Sequence, residues 1–161
     1  MGSDLGAGRT VKEIRTEIEI EAPPHVVWDV LTDFSAYPAW NPCLVEVRAH
    51  PRPGSRVDMV FRSSRRQFRL DATVLRADSC RELRWRGPVS SALGMLFRGE
   101  HYWTIRELRG GSWTHLVHGE QFGGLLIPLM SRWLDQEVDG AYHELNRALK
   151  ARVEEFGSGR G

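Results

Sequence analysis

The chain has 161 residues, 41% of them hydrophobic, and a net charge of +1 from 22 basic and 21 acidic side chains. This length is typical of one domain, which buries roughly 70% of the surface that its unfolded chain exposes. The balanced charge excludes a general attraction to nucleic acid or to anionic membranes, so we expect no nucleic-acid partner.

The two ends of the chain predict no structured element. Residues 1–10, MGSDLGAGRT, have neither the basic nor the apolar segment of a signal peptide, and we interpret them as a disordered leader or tag remnant. Residues 157–161, GSGRG, are predicted to be a disordered tail. A single domain is therefore expected over residues 11–156.

The cysteines and the apolar runs bear on location. Cys43 and Cys80 are too few for a disulfide scaffold and lack the CxxC spacing of a metal site, so we expect free thiols in a reducing compartment. The longest apolar run, LLIPLM at residues 125–130, is far shorter than the ~20 residues of a membrane span. We predict a cytoplasmic protein without a membrane span.

The first elements are a strand and two helices. Residues 11–22 alternate between apolar and polar side chains, with isoleucine at positions 14, 18 and 20, which predicts a strand. Two prolines then begin PPHVVWDVLTDF, residues 23–34, whose apolar residues recur at helical spacing. Ser35 is a suitable N-cap for a second, very short helix that Pro42 ends.

A succession of strand-like runs follows, separated by turn residues. The predicted strands are Leu44–Ala49, Ser55–Arg62, Gln67–Arg76, Glu82–Arg86, Phe97–Glu107 and Trp113–Phe122. Each has one apolar face, and the short breaks favour an antiparallel sheet built mostly of hairpins. Residues 87–94, GPVSSALG, are predicted to be one of these breaks.

The chain ends with a long amphipathic helix. From about Pro128 to Phe156, apolar residues recur every three or four positions, which predicts one helix about 40 Å long. Such a stripe requires an equally long apolar surface, and the curved sheet is the only candidate. The order is strand, two short helices, six strands and a long helix, an α+β domain.

This order and several segments resemble the START/Bet v 1-like superfamily, also called SRPBCC, and within it the polyketide cyclase/dehydrase-like branch. The resemblance rests on IEIEAPPHVVWDVLTDFSAYPAWNP, on GEHYWTI and HGEQFGGLLIP, and on the terminal helix. It implies a helix-grip fold, in which a seven-stranded antiparallel sheet wraps around the long helix and encloses a cavity for a hydrophobic ligand. The glycine-rich loop of the plant members is not matched, because HPRPGSR has a single glycine.

The hairpin of the last two strands can be placed in register. A two-residue Gly-Gly turn in RGGS would pair Arg109 with Ser112 and place His101 opposite Glu120. Strand alternation then puts the less polar side chains on one face, which we predict to be the inner face of the sheet. Its members are Phe97, His101, Trp103, Ile105, Thr114, Leu116, His118, Glu120 and Phe122.

Three interpretations of His101, His118 and Glu120 remain open. The first is a structural His101–Glu120 pair that ties two strands together in a partly solvated cavity. The second is a ligand-orienting or acid-base pair, since a histidine beside a carboxylate can transfer protons near neutral pH. The third is a site with two histidines and one carboxylate for a metal, although the family resemblance implies none.

The other candidate ligand-binding residues are apolar or aromatic. We predict that the cavity is lined by Met59, Phe61, Leu70, Leu83, Trp85, Phe97, Trp103, Leu116, His118, Phe122, Trp133 and Tyr142. Each aromatic residue among them has the alternative of being core. Trp28 and Trp40 are predicted to pack the short helices on the sheet, and Asn41 is predicted to stabilise a turn.

Three surface features complete the set. GPVSSALGML and FGGLLIPLM combine glycines with apolar residues, which is consistent either with a portal lid or with ordinary loops that cap the core. Arg65, Arg66 and Arg69 form a basic patch beside a turn, interpreted as a solvated sheet edge.

Three functions are compatible with these features. The first is a bacterial binding or carrier protein for a lipid, quinone or polyketide-like molecule. The second is a cyclase/aromatase-like enzyme in which His101 and Glu120 transfer protons. The third is an interaction module of the chaperone-activator type. We expect no cofactor and no resident metal, and a small hydrophobic ligand as the partner.

Overall fold

A computed structural model of the chain describes residues 12–63 and 66–158. The strands are β1 (Lys12–Ile20), β2 (Leu44–Arg48), β3 (Arg56–Arg62), β4 (Gln67–Asp78), β5 (Glu82–Gly87), β6 (Arg98–Leu108) and β7 (Trp113–Gly123). The helices are α1 (Pro24–Thr32), α2 (Tyr37–Trp40), α3 (Ser91–Leu96), α4 (Ile127–Trp133) and α5 (Asp139–Ser158), with a 3₁₀ turn at Phe34–Ala36.

The seven strands form one antiparallel sheet in the order β1-β7-β6-β5-β4-β3-β2. Every neighbouring pair except β1–β7 is consecutive in sequence, so the sheet is a chain of hairpins with the first strand added at the β7 edge. The fold is α+β and of the helix-grip type, which confirms the prediction. The predicted strands end within about two residues of the observed ones.

The C-terminal helix differs in detail from one continuous α-helix. It begins at Ile127 and contains a π-helical segment, Leu134–Val138, between α4 and α5. The backbone stays right-handed helical across both junctions. The apolar stripe has two environments. Leu145, Leu149 and Val153 of α5 are fully buried in the main core, whereas Leu134 and Val138 of the π-helical segment join a smaller cluster with Ile14 and Phe122.

The segment predicted to be a loop at residues 87–94 contains helix α3. Ser90 is its N-cap, and the Ser90 hydroxyl accepts a hydrogen bond of 3.4 Å from the backbone N–H of Leu93. A capping serine with alanine and leucine at the second and third helical positions is a helix signal that the glycines and the proline of this segment obscured.

The predicted register of the last hairpin is correct, but its turn is wider than predicted. His101 lies opposite Glu120 and Leu108 opposite Trp113. Residues 109–111 form a 3₁₀ turn with positive φ angles at Arg109, Gly110 and Gly111, and the Ser112 hydroxyl donates to the carbonyl of Arg109. Adding one residue to the loop on each side leaves the pairing unchanged.

The short helices pack as predicted. Trp28 and Trp40 are partly buried against the main core. Asn41 is 4% exposed, and its Oδ1 accepts from the backbone N–H groups of Cys43 at 3.0 Å and Leu44 at 2.8 Å. Asn41 therefore stabilises the turn before β2, as expected.

Some predictions concern residues beyond these ranges. The leader at residues 1–10, residue Val11, the side chain of Arg65 and the end of the tail at 159–161 lie outside the described residues. α5 continues through Ser158, so it includes the first two residues of the predicted tail. Within the described ranges, no helix has both the length and the apolar character needed to cross a membrane.

Candidate functional site

A cavity of about 780 Å³ lies between the inner face of the sheet and the C-terminal helix. This volume is within the range of roughly 300–1,000 Å³ that small-molecule pockets occupy. The predicted residues that line it are Met59, Phe61, Leu70, Trp85, Phe97, Phe122, Trp133 and Tyr142, together with His101 and Glu120. The wall is thus mainly apolar and aromatic, but it also includes the charged residues Glu46, Arg48, Arg56, Asp58, Arg69 and Asp71.

Four residues predicted to line the cavity do not do so. Leu83, Trp103, Leu116 and His118 are fully buried, each with 0% exposure. The reason is that the sheet and α5 are in direct contact at this level: the first three residues share the main core with Leu145 of α5. An inner-face position in the sequence therefore predicts burial, but not access to the cavity.

Sequence reasoning missed part of the lining. Leu93 and Leu96 come from α3, Leu126 lies just before α4, and Leu134 and Val138 belong to the π-helical segment. The signal was present, because these residues are the apolar positions of the two glycine-containing segments and of the helix that follows.

The cavity wall carries a polar cluster of Glu120, Tyr142 and His101. The Tyr142 hydroxyl forms a short hydrogen bond with Glu120 Oε2 and lies 3.4 Å from His101 Nδ1. His101 Nδ1 and Glu120 Oε2 are 3.9 Å apart, beyond hydrogen-bond distance. His101 and Glu120 therefore lie side by side without a direct hydrogen bond, and the Tyr142 hydroxyl lies between them.

Behind this cluster a chain of buried hydrogen bonds continues into the core. His101 Nε2 and His118 Nε2 are 2.9 Å apart, and His118 Nδ1 is 2.8 Å from Asn146 Oδ1. Asn146 Nδ2 donates to the Thr16 hydroxyl at 2.8 Å, which donates to the carbonyl of His118 at 2.9 Å. Thr16, His118 and Asn146 are all at most 3% exposed.

The partners determine which way each of these hydrogen bonds runs. Because Thr16 donates to a carbonyl, its oxygen accepts from Asn146, whose Oδ1 then accepts from His118 Nδ1–H. A neutral His118 accepts at Nε2, so His101 carries its proton on Nε2. His101 Nδ1 is left as an acceptor that faces Tyr142.

Burial keeps both histidines neutral. Desolvation lowers the pKa of His118 to about 3, although the hydrogen bond to Asn146 opposes this change. Desolvation, and then the charge that His118 would carry, lower the pKa of His101 well below its usual value. The tautomer assignment above therefore holds across the physiological range.

Glu120 is shifted in the opposite direction. Desolvation raises its pKa from 4.5 to about 7, against the lowering effect of the hydrogen bond from Tyr142. Burial and the neighbouring Glu120 raise the pKa of Tyr142 well above 10, so its hydroxyl keeps its proton. Glu120 is therefore the one group of the cluster that changes protonation near neutral pH.

A glycine makes room for this carboxyl group. A Cβ atom at Gly99, on the neighbouring strand, would clash with Glu120 Oε1. The carboxyl thus lies directly over the backbone of β6.

The signals for Thr16 and Asn146 were present but unused. Thr16 is the polar residue in phase with the isoleucines of β1, and Asn146 lies one helical turn after Tyr142 on the buried face of α5. A polar residue inside an apolar stripe that is fully buried requires partners.

The two apolar segments that combine glycines with leucines meet at the cavity wall, where Leu93, Leu96 and Leu126 line it. The backbone N–H groups of Leu125 and Leu126 donate to the carbonyls of Met95 and Leu96, at 3.1 and 2.9 Å. These hydrogen bonds join α3 to the start of α4. Large apolar side chains are exposed here, including Met95 at 70%, Leu125 at 75% and Leu129 at 84%.

The two histidines and Glu120 are not arranged as metal ligands. Each histidine directs Nε2 at the other, and His118 directs Nδ1 at Asn146. Over residues 12–63 and 66–158, no group of three histidine, cysteine or acidic side chains is placed to hold a metal ion. This geometry does not favour the third interpretation.

Comparison with known proteins gives a family match over nearly the whole chain. Residues 12–154 match the model of the family described as polyketide cyclase / dehydrase and lipid transport. No curated protein matches the sequence significantly.

Solved structures of the same fold share little sequence identity with the chain. An aromatase/cyclase from Streptomyces sp. R1128 is 17% identical, with a TM-score of 0.72 over 89% of this chain and 93% of that one. A START superfamily protein from Mycobacterium smegmatis is 18% identical, with a TM-score of 0.69 over 89% and 98%. Norcoclaurine synthase from Thalictrum flavum is 12% identical, with a TM-score of 0.69 over 91% and 96%. At these identities the similarity establishes the fold alone.

Proposed function

We propose that this chain, which belongs to the polyketide cyclase/dehydrase and lipid transport family, binds one small hydrophobic, partly aromatic molecule in its cavity. The observation that carries the proposal is the cavity of about 780 Å³, whose largely apolar wall carries the cluster of Glu120, Tyr142 and His101. The apolar residues around this cluster disfavour a strongly charged ligand there, but the cluster can orient a molecule with one polar group.

The lid supports entry from solvent. Two hydrogen bonds connect α3 to the start of α4, and both join backbone groups only. Separating the segments therefore costs little compared with opening the sheet. The exposed leucines around the mouth would be covered by an entering hydrophobic molecule or by a membrane or protein that delivers it.

Location remains a proposal of the same kind. Cys43 and Cys80 are both free thiols, and the Cys43 thiol donates to the carbonyl of Ala141 within the core. Unpaired cysteines favour a reducing compartment, so we place the protein in the cytoplasm of a bacterial cell.

The test is to block the cavity. Leu70 lines the cavity, whereas Leu75 lies on the same strand but does not, and the two are 45% and 36% exposed. Leu70→Trp should weaken the binding of an environment-sensitive naphthalene fluorophore by at least about tenfold, while Leu75→Trp leaves the affinity unchanged. Native mass spectrometry of freshly purified wild-type protein should show a retained small molecule. Absence of both effects would refute the cavity as a binding site and favour the interaction-module alternative.

A second candidate function is acid-base catalysis. It is favoured by Glu120, whose pKa of about 7 is close to the optimum for a general acid or base at physiological pH. The reaction class would be abstraction of a proton next to a carbonyl, followed by aldol-type ring closure or loss of water. Glu120 would take the proton and return it to the new alkoxide or to the departing hydroxyl, and Tyr142 would stabilise the developing oxyanion.

This candidate requires turnover as well as binding. At saturating polyketide-like substrate, Glu120→Gln should reduce the single-turnover rate by at least about a hundredfold, because the base is lost. His101→Ala should reduce it as well, since His101 contacts Tyr142. If neither variant changes the rate, the catalytic proposal is refuted and only the binding function remains.

A further inference from the structure

On the side that faces the cavity, the polar cluster has more hydrogen-bond acceptors than donors. Every hydrogen bond behind His101 has its donor on the cavity side, through His118 and Asn146 to Thr16 and the carbonyl of His118. His101 therefore has no proton left for the cavity and presents Nδ1 as an acceptor. Thr16, His118 and Asn146 act as positioning residues, because they hold His101 in this tautomer without touching a ligand.

The balance of donors and acceptors then depends on Glu120. When Glu120 is protonated, it can donate to the Tyr142 hydroxyl, which donates to His101 Nδ1, and every group is paired. When Glu120 is ionised, Tyr142 donates to the carboxylate and His101 Nδ1 has no donor. The ionised cluster therefore lacks one O–H or N–H donor, and leaving a buried acceptor unpaired is unfavourable.

The surroundings of Glu120 do not supply that donor. The titratable groups that face it are Tyr142 from α5 and His101 from β6, while β1 presents Ile14 as its cross-strand neighbour. The π-helical segment contributes Leu134 and Val138 to the same wall. No lysine or arginine in the described part of the chain contacts this carboxylate.

We propose that the polar cluster selects a neutral hydroxyaromatic or enolic ligand, whose hydroxyl donates a hydrogen bond to Glu120 or to His101 Nδ1. This inference rests on the proposed function and specifies the ligand of the same cavity. A ligand carboxylate is disfavoured, because it would bring a second negative charge to Glu120 in an apolar wall. A ligand that only accepts hydrogen bonds leaves the ionised cluster short of a donor.

The aromatic walls fit the flat part of such a ligand. Trp85 and Phe122 line the cavity, and the ring of Trp85 lies 5.3 Å from that of His101. An aromatic ring that enters beside Trp85 would therefore bring its hydroxyl near the cluster.

Three naphthalenes of nearly equal size test the inference by calorimetry or fluorescence. 2-Naphthol donates a hydrogen bond, 2-methoxynaphthalene lacks the donor, and 2-acetylnaphthalene only accepts. At pH 8, where Glu120 is mostly ionised, wild-type protein should bind 2-naphthol at least about tenfold more tightly than either other compound. The preference should decrease towards pH 6, where Glu120 becomes protonated and supplies the proton itself.

Glu120→Gln is the matched variant, because its amide supplies the missing donor without a charge. The ratio of 2-naphthol to 2-methoxynaphthalene affinities, measured within each protein, should fall to about threefold or less. Equal binding of the three compounds by the wild type, or tighter binding of the ketone, overturns the inference but leaves the proposed function standing. Binding of none of them at any pH overturns both.

Discussion

The Nε2 atoms of His101 and His118 lie 2.9 Å apart in the interior of the protein. Two imidazole nitrogens can approach this closely only when one carries a proton and the other does not. The pair therefore shares one proton and is directional, with His101 as the donor and His118 as the acceptor. Burial disfavours the charged form of both rings, so acid should act against the folded state.

We predict that the buried histidines destabilise the protein as the pH falls below about 6.5. Their folded-state pKa values are lowered, to about 3 for His118, so the unfolded chain binds more protons and stability is lost on acidification. Each buried histidine contributes about 1.4 kcal/mol per pH unit. His118→Gln should reduce the slope of unfolding free energy against pH between 6.5 and 4.5, as measured by urea denaturation. Thr32→Val, which removes a partly buried hydroxyl and no titratable group, is the control and should leave the slope unchanged.

Glu120 should act with the opposite sign. Its pKa is raised from 4.5 to about 7, so the folded state binds more protons than the unfolded state in this window, and stability falls as the pH rises through it. This difference corresponds to about 3 kcal/mol. The unfolding free energy of Glu120→Gln, relative to wild type, should therefore increase between pH 4.5 and 7 and level off above. A difference that stays constant with pH would show that Glu120 titrates normally.

Tyr142→Phe should raise the pKa of Glu120 further. The hydroxyl of Tyr142 stabilises the ionised carboxylate by donating to it, and this is the contact that opposes desolvation. The carboxyl titration can be followed by carbon-13 NMR of labelled glutamate. Tyr102→Phe is the control, because the Tyr102 hydroxyl donates to Glu13 and not to Glu120. A lower pKa of Glu120 in Tyr142→Phe would contradict the bridging arrangement.

The pairing of His101 with Glu120 could be predicted because it depends on local chemistry alone. A glycine pair between two alternating runs sets the register, and the register survived a turn of different length. The contact between these side chains could not be predicted in the same way. It depends on the rotation and axial position of α5, which place Tyr142 between them, and neither is determined by the helical stripe itself.

The same limit applies to the cavity. Alternation identified the inner face of the sheet correctly, but Trp103 and Leu116 on that face are core and Phe122 is cavity wall. The difference arises because α5 packs directly on the sheet in the main core, whereas the π-helical segment forms a separate cluster with Ile14 and Phe122 beside the cavity. Packing distance between layers is a tertiary property that strand periodicity does not encode.

The hydrogen bonds that link His118, Asn146 and Thr16 should contribute to the unfolding free energy in a coupled way. Asn146→Leu leaves His118 Nδ1–H without a partner, and Thr16→Val leaves Asn146 Nδ2 without one, so each should cost about 1–3 kcal/mol of unfolding free energy. The double variant should cost less than the sum by about 1 kcal/mol or more, because both substitutions remove the same bond. Thr32→Val, whose hydroxyl bonds to Trp28 on α1, should be additive with Asn146→Leu. If the losses of unfolding free energy in the Thr16 and Asn146 variants simply add, the proposed series of hydrogen bonds is contradicted.

We predict that a single methyl group at Gly124 opens the proposed lid. Gly124 has a φ of +115° and lies where α3 meets the start of α4, and a Cβ atom there would be 2.5 Å from the carbonyl oxygen of Leu96. Gly124→Ala should therefore separate the two segments and speed the exchange of a bound naphthalene fluorophore in stopped-flow experiments by about tenfold, with a loss of about 1–3 kcal/mol in stability. Gly94→Ala in α3 meets no atom within 4 Å and should be neutral or slightly stabilising. If Gly124→Ala loses stability but the fluorophore exchanges at the wild-type rate, the contact between the two segments has been disrupted without effect on exchange. Ligands would then enter the cavity elsewhere.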